Sequence, residues 1–509
     1  MIGVTNRARL LALAILAGAA PALAQQVPAG APKPLLPPQP LQSPAPQSAQ
    51  PQVVPPPVVP TLPNPAPTPI ALPVLSSRQA QQLADILRVG AIANGLRHDE
   101  APEAPALDND ALVRAALDYA RAVHSGRLAP EDFAADWGLR PDAYDPLPGF
   151  ADAVKRDRLR QWDATLAPPY AGYDYLRKAL VTYRQIEAAG GWQPIAVGPD
   201  LATGASGPRV AALRARLAIE DSQAVATGDS FDAALKDAVV RAQRRYGLNP
   251  TGVVSKATLA ALNVPASDRV RQIMANIERW RWVPEELPTH RIQVNIAGAV
   301  LTVFEGDAPV LSMKAVTGRP GDETPMLASR IHSIVLNPPW NVPSTIAAKE
   351  LFPKGPAYLA KHGFRVIKNP DGTTRLQQAS EQSALGKYKF DFNNPFAVYL
   401  HDTPTQRTFS TYSRLASHGC VRLEKPADLA RLLLKNDAVW TPETLQAAVA
   451  TGKTQRVQLT DQVAVYLLYW TAYADANGTA HFLGDPYGWD KSLASKIEHR
   501  SDVQQLASR

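Results

Sequence analysis

The sequence predicts a multidomain α+β protein. A mostly-β C-terminal domain with accessory helices follows a helical scaffold and a small three-helix module. Three observations carry that prediction. Apolar residues recur at helical spacing from Leu75 to Gly191. Three short helical patterns separated by glycine turns fill 199–265. From about residue 290 the apolar period switches from 3.6 to two, the mark of strands.

At the N-terminus, Met1–Ala24 reads as a secretory leader. Arg7 and Arg9 give the charged start, Leu10–Ala20 the apolar stretch, and Ala22-Leu23-Ala24 a small-x-small cleavage site. The apolar stretch is too short for the roughly 20 residues a spanning helix needs, so export without stable membrane insertion is expected. Residues 25–74 form a proline-rich, almost uncharged linker holding more than a third of the chain's 48 prolines. Proline removes backbone donors and the apolar residues have no period, so no core can form there.

A helical scaffold is expected over 75–196, with apolar faces at Leu83/Ile86/Leu87, Leu112–Val123 and Tyr175–Ile186, stopped by Gly190-Gly191. The proline-bearing stretch 139–149 interrupts it. The three-helix module spans 197–266, with Val210/Leu213/Leu217, Ala234/Ala238/Val239 and Leu259/Leu262 as its faces. Within 267–490, a helix through Val270, Ile273 and Ile277 ends near Trp280. A hairpin pairs Ile292/Val294/Ile296 with Val300/Thr302/Phe304 across Ala297-Gly298, and 310–316, 331–336, 397–400 and 463–474 are further strand candidates. A long polar insertion, 344–386, has few strand patterns, and a segment of this length is functional or disordered. Residues 491–509 read as a polar tail that frays.

The chemistry centres on Ser417-His418-Gly419-Cys420-Val421-Arg422. Cys420 is the single cysteine, so it has no intramolecular disulfide partner. Its neighbours are polar, unlike those of an inert core thiol. His401 precedes it, and Arg407, Arg414 and Arg422 lie nearby in sequence. Such neighbours favour the thiolate, the nucleophilic form. Gly419 lets backbone approach a substrate closely. Arg422 could take a carboxylate bidentately, or equally could form a structural salt bridge to Glu424 or Asp428. His418 adjoins the thiol but would have to fold back to reach it, which favours His401 as base. The other histidines lack ligand spacing, so no metal is expected, and no phosphate loop or other cofactor signature is present. The formal net charge is +7, two of whose arginines belong to the leader. Basic residues are interleaved with acidic ones, which argues against nucleic acid as a partner.

The string from His401 to Arg422 resembles the active-site signature of the bacterial L,D-transpeptidases. Thr324-Pro325-Met326, Asn337–Pro343 and Asp485–Gly488 resemble further motifs of that family. The module, through Gly207-Pro208-Arg209-Val210 and Gln243…Gly247-Leu248, resembles a peptidoglycan-binding domain, with Ala242 where Phe is usual. A helical module that only packs on its neighbours is the alternative.

The resemblance implies a mostly-β L,D-transpeptidase catalytic domain behind a helical scaffold and a three-helix peptidoglycan-binding-like domain. Cys420 is then the nucleophile and His401 the general base, oriented by the Asp402 carbonyl. Tyr399, Ser417, His418, Gly419 and Arg422 shape the pocket and oxyanion site, and Trp340 and Arg414 belong to the substrate cleft. The insertion 344–386 becomes a lid. The partner is peptidoglycan, the place the periplasm, and the reaction acyl transfer between peptide stems with loss of D-alanine. A cell-wall carboxypeptidase or other cysteine peptidase is the alternative. A papain-like enzyme has its cysteine before its histidine, and a sortase cysteine follows a different strand motif. A non-catalytic wall-binding protein has no need of the His401/Cys420 pair.

Overall fold

The computed structural model describes residues 71–96 and 108–507. The expected leader, and the linker as far as residue 70, lie outside the described residues.

Helices α1 (Ser77–Ala93), α2 (Asn109–His124), α3 (Leu147–Lys155) and α4 (Leu159–Leu166) bury a shared apolar core that includes Leu83, Val113, Phe150 and Leu159. Their starts are encoded locally. Ser76 caps α1 in a reciprocal box with Gln79, and the Asp108 carboxylate caps α2. The stretch 139–149, expected only as an interruption, opens α3. The long α5 (Ala171–Ala188) leaves this group and packs on α9 (Ala266–Trp280).

Between them stands the module: α6 (Pro208–Ala218), α7 (Ala233–Arg245) and α8 (Lys256–Leu262). Gln243, singled out in the sequence motif, is buried and structural. Its amide donates to the Val253 carbonyl at 2.8 Å and accepts from the Gly252 N–H at 2.9 Å, closing the loop between α7 and α8. Glu220 accepts from Tyr183, Tyr246 and Arg216, tying α5 to the module. While α1–α4 keep their own core, α5, the module and the C-terminal domain share one interior. A single apolar cluster runs from Leu176 and Leu180 through Val210, Leu213 and Val239 to Ile292, Leu400 and Val421.

The C-terminal domain is built on a nine-stranded sheet. Its strands are β1 (His290–Asn295), β2 (Val300–Glu305), β3 (Ala308–Gly318), β4 (Leu327–Leu336), β8 (Tyr388–Phe392), β9 (Leu400–His401), β10 (Leu415–Ser417), β11 (Val421–Leu423) and β12 (Gln455–Leu468). The order is β10-β3-β11-β9-β8-β4-β12-β1-β2, and a further pairing of β2 with β3 closes it into a barrel. Inward residues such as Ile292, Val294, Ile334, Phe390, Leu400 and Val421 are fully buried. The β1–β2 hairpin forms as the alternation predicts, with Ile292 opposite Val303.

The insertion 344–386 is ordered. Short helical turns α10 (Ser344–Ile346) and α11 (Gly355–Lys361) flank a π-helical turn at Ala347–Leu351. Then β6 (Phe364–Lys368) and β7 (Thr374–Gln378) form a hairpin that pairs with β5 (Trp340–Asn341). Val342, Ala347, Leu351, Leu359 and Leu376 give it a small core of its own.

After α12 (Pro426–Leu433), α13 (Pro442–Ala450) and the β13–β14 hairpin (Ala472–Ala474, Ala480–Phe482), α14 runs Trp489–Ala507. This corrects the expectation of a fraying tail from residue 491. Leu493 and Ile497 are buried, and the helix packs on α9. Asp490 anchors its start, bonded to Arg279 at 2.5 Å and Thr471 at 2.6 Å.

Candidate active site

Strands β9 and β11 lie side by side and parallel, with Val421 opposite Leu400 and Arg422 opposite His401. Leu400 and Val421 point into the barrel. Strand alternation therefore puts Tyr399, His401, Cys420 and Arg422 together on the outer face. Extending the register by one residue sets Cys420 opposite Tyr399. His401 is thus the diagonal neighbour of Cys420 rather than its direct cross-strand partner, at a backbone separation of about 7–8 Å.

In this structure the thiol lies beside Tyr399, whose backbone and phenol both pull its titration down. The Trp340 indole lies close enough to the phenol to pull its titration down. Tyr399 and His401 rings sit edge-to-face at 5.6 Å.

His401 is 5% exposed. Its Nδ1 meets the Asp402 carbonyl at 2.5 Å. Assigning the ring proton to that bond leaves Nε2 with a lone pair. Burial, and next the nearby Arg422, push the imidazole down to about 3, against the pull of the Asp402 carbonyl. Asp402 contributes its backbone. Its carboxylate is used locally, accepting from the Thr403 and Lys387 amides at 2.7 Å each.

Burial also pushes the Cys420 thiol up, more than the Tyr399 bonds, Lys389 and Arg422 pull it down. This corrects the expectation that the surrounding cations favour the thiolate. Desolvation of the charged form wins, and the resting pair is a neutral thiol beside a neutral imidazole. Arg407 is exposed on a 3₁₀ turn. Arg422 makes no ion pair among the described residues, so neither Glu424 nor Asp428 holds it. Glu424 faces Lys314 and Asp428 pairs with Arg431.

The nucleophile turn is held from several sides. Ser417 Oγ donates to the Cys420 carbonyl at 2.5 Å and accepts from the Gly419 N–H at 3.2 Å. Thr324 Oγ1 donates to the Gly419 carbonyl at 2.7 Å and accepts from the Gly318 N–H at 2.8 Å. The Tyr487 phenol donates to the Gly318 carbonyl at 2.6 Å. Gly419 has φ +102°, and a Cβ there would sit 3.2 Å from the Glu323 carbonyl oxygen, so glycine is required. The Cys420 N–H has no acceptor among the described residues.

His418 does not turn toward the thiol. Its Nε2 lies 2.6 Å from Glu350 of the insertion and 3.0 Å from Arg319, which itself reaches Glu350 at 3.2 Å. Arg414 is a correction. Its guanidinium donates to the carbonyls of Ala315, Gly298, Ala299, Thr411 and Tyr412. It lines a cavity beneath the three-helix module, and carbonyls from three segments, 298–299, 315 and 411–412, consume its donors. Sequence reasoning missed Lys389, which sits opposite His401 with its ammonium 4.3 Å from the Tyr399 ring, paired to Asp391. It also missed Glu350 and Arg319, which no local pattern marks.

A half-buried thiol, a neutral imidazole on the same sheet face and an unused amide N–H can together perform acyl transfer through a thioester. Residues 289–441 match the L,D-transpeptidase catalytic domain, 206–262 the family described as "Putative peptidoglycan binding domain", and 75–180 the scaffold domain. The stretch 289–441 is thus similar to that catalytic-domain family. A Haemophilus influenzae protein described as "Putative L,D-transpeptidase" is 32% identical over 246 residues, 45% of this chain and 50% of that protein. The chain thus spans about half the length of this curated relative. Among solved structures, an L,D-transpeptidase from Stackebrandtia nassauensis is similar at 16% identity, over 54% of this chain and 97% of that one, with a TM-score of 0.22. One from Mycobacterium smegmatis is similar at 16% identity over 35% and 58%, with a TM-score of 0.19. Likenesses this low carry no weight beyond their mention.

Proposed function

We propose that the protein is an exported peptidoglycan L,D-transpeptidase that works in the periplasm. The observation that carries this reading is the shared outer face of Tyr399, His401, Cys420 and Arg422, inside the stretch that matches the catalytic-domain family. Cys420 attacks the carbonyl joining the third stem residue to terminal D-alanine. The thiol proton passes to His401 Nε2, and the oxyanion is met by the free Cys420 N–H. His401 returns the proton to the departing D-alanine amine, leaving a thioester on Cys420. An amine on a neighbouring stem then attacks the thioester carbonyl, His401 takes its proton, the C–S bond breaks, and His401 hands the proton to the departing Cys420 sulfur as the 3–3 cross-link forms.

A neutral resting pair suits this order. Proton transfer accompanies attack, so no thiolate waits exposed to oxidation. Arg422, without an ion partner, suits the carboxylates of the stem. The single-chain division into scaffold (75–196), binding module (197–266) and catalytic domain (267–490) assigns chemistry to the last alone.

The test is incubation of the mature protein with disaccharide-tetrapeptides, followed by product separation and mass analysis. Cross-linked dimers with loss of one D-alanine are expected from the parent and absent from Cys420→Ala. Tripeptide monomers alone would place the enzyme among carboxypeptidases, and unchanged substrate would refute the proposal.

A further inference from the structure

Lys389 has no part in the acyl transfer described above, yet the sheet sets it among the reacting groups. On β8 it lies directly opposite His401, and Arg422 lies opposite His401 from β11. The outer face therefore carries a row of Lys389, His401 and Arg422. Extending both registers by one residue gives a second row of Asp391, Tyr399 and Cys420. Phe390 and Phe392 are buried in the barrel, so strand alternation puts Lys389 and Asp391 on the same face as the thiol.

The ammonium is fixed from two sides. It pairs with the Asp391 carboxylate at 2.7 Å and lies 4.3 Å from the centre of the Tyr399 ring. The other Asp391 oxygen takes Arg456 at 2.8 Å, and Arg456 also donates to the fully buried Ser333 at 2.5 Å. The Lys389 and Asp391 side chains are only 23% and 14% exposed. Charge withdrawn from water in this way is weakly screened.

The ring contact matters because Tyr399 stands opposite Cys420 and lies beside its thiol. The Tyr399 ring also meets His401 edge-to-face at 5.6 Å, so Lys389 and His401 both restrict it. Lys389 pulls the thiol down more than Arg422 does. It disfavours a proton on His401 only weakly, behind burial, Arg422 and the Asp402 and Leu385 backbone. Its balance of effects therefore favours proton departure from sulfur.

We propose that Lys389 is a positioning residue for the nucleophile. Anchored by Asp391 and Arg456, its ammonium holds the Tyr399 ring beside Cys420 and stabilises the negative charge that grows on sulfur as the S–H proton passes to His401 Nε2. It does so again when the C–S bond of the thioester breaks. Lys389 keeps its own protons throughout. The proposal rests on the reading of Cys420 as the nucleophile and adds a residue to that site.

The test compares the parent with Lys389→Met, Lys389→Gln and Lys389→Arg at neutral pH. Two reagents are used, a carbapenem, which carries a carboxylate, and iodoacetamide, which is uncharged. Adducts on the intact protein are followed by mass spectrometry. Methionine keeps the apolar stem and glutamine keeps a polar end, and both remove the charge. Loss of a nearby cation raises an acidic group by about one unit or more. One unit cuts the ionised fraction about tenfold, and the more basic sulfur regains about a factor of three in nucleophilicity. Both uncharged variants should therefore react at least about threefold more slowly with either reagent. The half-saturating carbapenem concentration and the melting temperature should stay near those of the parent. Lys389→Arg should return both rates to within about twofold of the parent, since the charge is kept. Slowing with the carbapenem alone would make Lys389 a contact for the reagent's carboxylate and overturn the proposal. An arginine variant as slow as the uncharged ones also overturns it. A reactive parent matched by the uncharged variants removes this inference alone, whereas a parent that reacts with neither reagent removes the reading of Cys420 beneath it.

Discussion

The nucleophile turn and the insertion 344–386 are built in opposite ways. The turn at Gly419-Cys420 is fixed by Ser417 from within and by Thr324 from a distant segment, while Tyr487 holds the Gly318 backbone that Thr324 also grips. The insertion has its own five-residue core and reaches the turn through exposed and half-exposed polar groups, Glu350 to His418 and Arg319. Over-determined backbone holds reacting atoms in place, while a separately packed segment tied by a few polar bonds is free to open locally without disturbing them. The chemistry and its access are thus encoded in different kinds of interaction.

The largest effect breaks the comparison on the turn's side. Cys420→Ala should leave the melting temperature near that of the parent and remove every covalent adduct in intact-protein mass spectrometry after a carbapenem. An adduct on this variant would mean that another nucleophile reacts.

Next is Thr324→Val, which keeps shape but loses the bonds to Gly419 and Gly318. A misplaced nucleophile costs on the order of 10²-fold in rate. The acylation rate constant, measured by stopped flow, should fall by about that factor. A rate within twofold of the parent would show that the turn does not need this support.

On the insertion's side, Leu376→Ala empties the small core. A buried Leu→Ala change costs roughly 2–5 kcal/mol. The cost should fall on the insertion alone, as faster hydrogen exchange across 344–386 with barrel amides unchanged. Exchange rising equally in β9 and β11 would show that the two regions are one cooperative unit.

The smallest effect is expected from Glu350→Gln. His418, and less strongly Arg319, hold the Glu350 carboxyl below the usual carboxylate range. Such a group supports the link above its ordinary titration range and loses it only as pH falls through the lowered value. The link therefore persists through mildly acid conditions. Exposed pairs are worth about 0–1 kcal/mol, so cleavage of the insertion by a protease should rise only severalfold at neutral pH. No change would remove Glu350 as a tie.

Much of the turn was legible in sequence because its signal is local. One cysteine, a contiguous Ser-His-Gly-Cys string and a histidine on a β-prone stretch can be read without knowing the fold. The hairpin at 292–304 and the amphipathic α9 were legible through their periods. The insertion was not, since β6 is exposed along much of its length and shows no alternation. Helix α14 was missed because its charged residues mask the two apolar positions, Leu493 and Ile497, that meet α9. Arg414 was misplaced because sequence proximity to Cys420 says nothing of the bend that turns its side chain toward the β1–β2 turn. The thiol's electrostatics were misjudged for a related reason. Arginines can be counted in a sequence, whereas the burial that outweighs them depends on which strands pair.

The central claim is that His401, and not His418, takes the proton of Cys420. With the His401 imidazole pushed down to about 3, it stays an unprotonated base throughout the neutral range. The same shift makes the native protein lose stability as pH falls from about 6.5 toward 3, where the unfolded chain gains a proton that the buried ring refuses. The direct measurement is the rate of Cys420 acylation by a carbapenem as a function of pH, for the parent, His401→Gln and His418→Gln. Without its base, the thiol must ionise into solvent, and burial has raised it above the usual value near ~8.5. The account predicts that His401→Gln is slow at neutral pH and recovers only in strongly alkaline buffer. His418→Gln, which severs the tie to Glu350, should keep the shape of the parent's profile. An alkaline displacement in His418→Gln with an unmoved profile in His401→Gln would contradict the account.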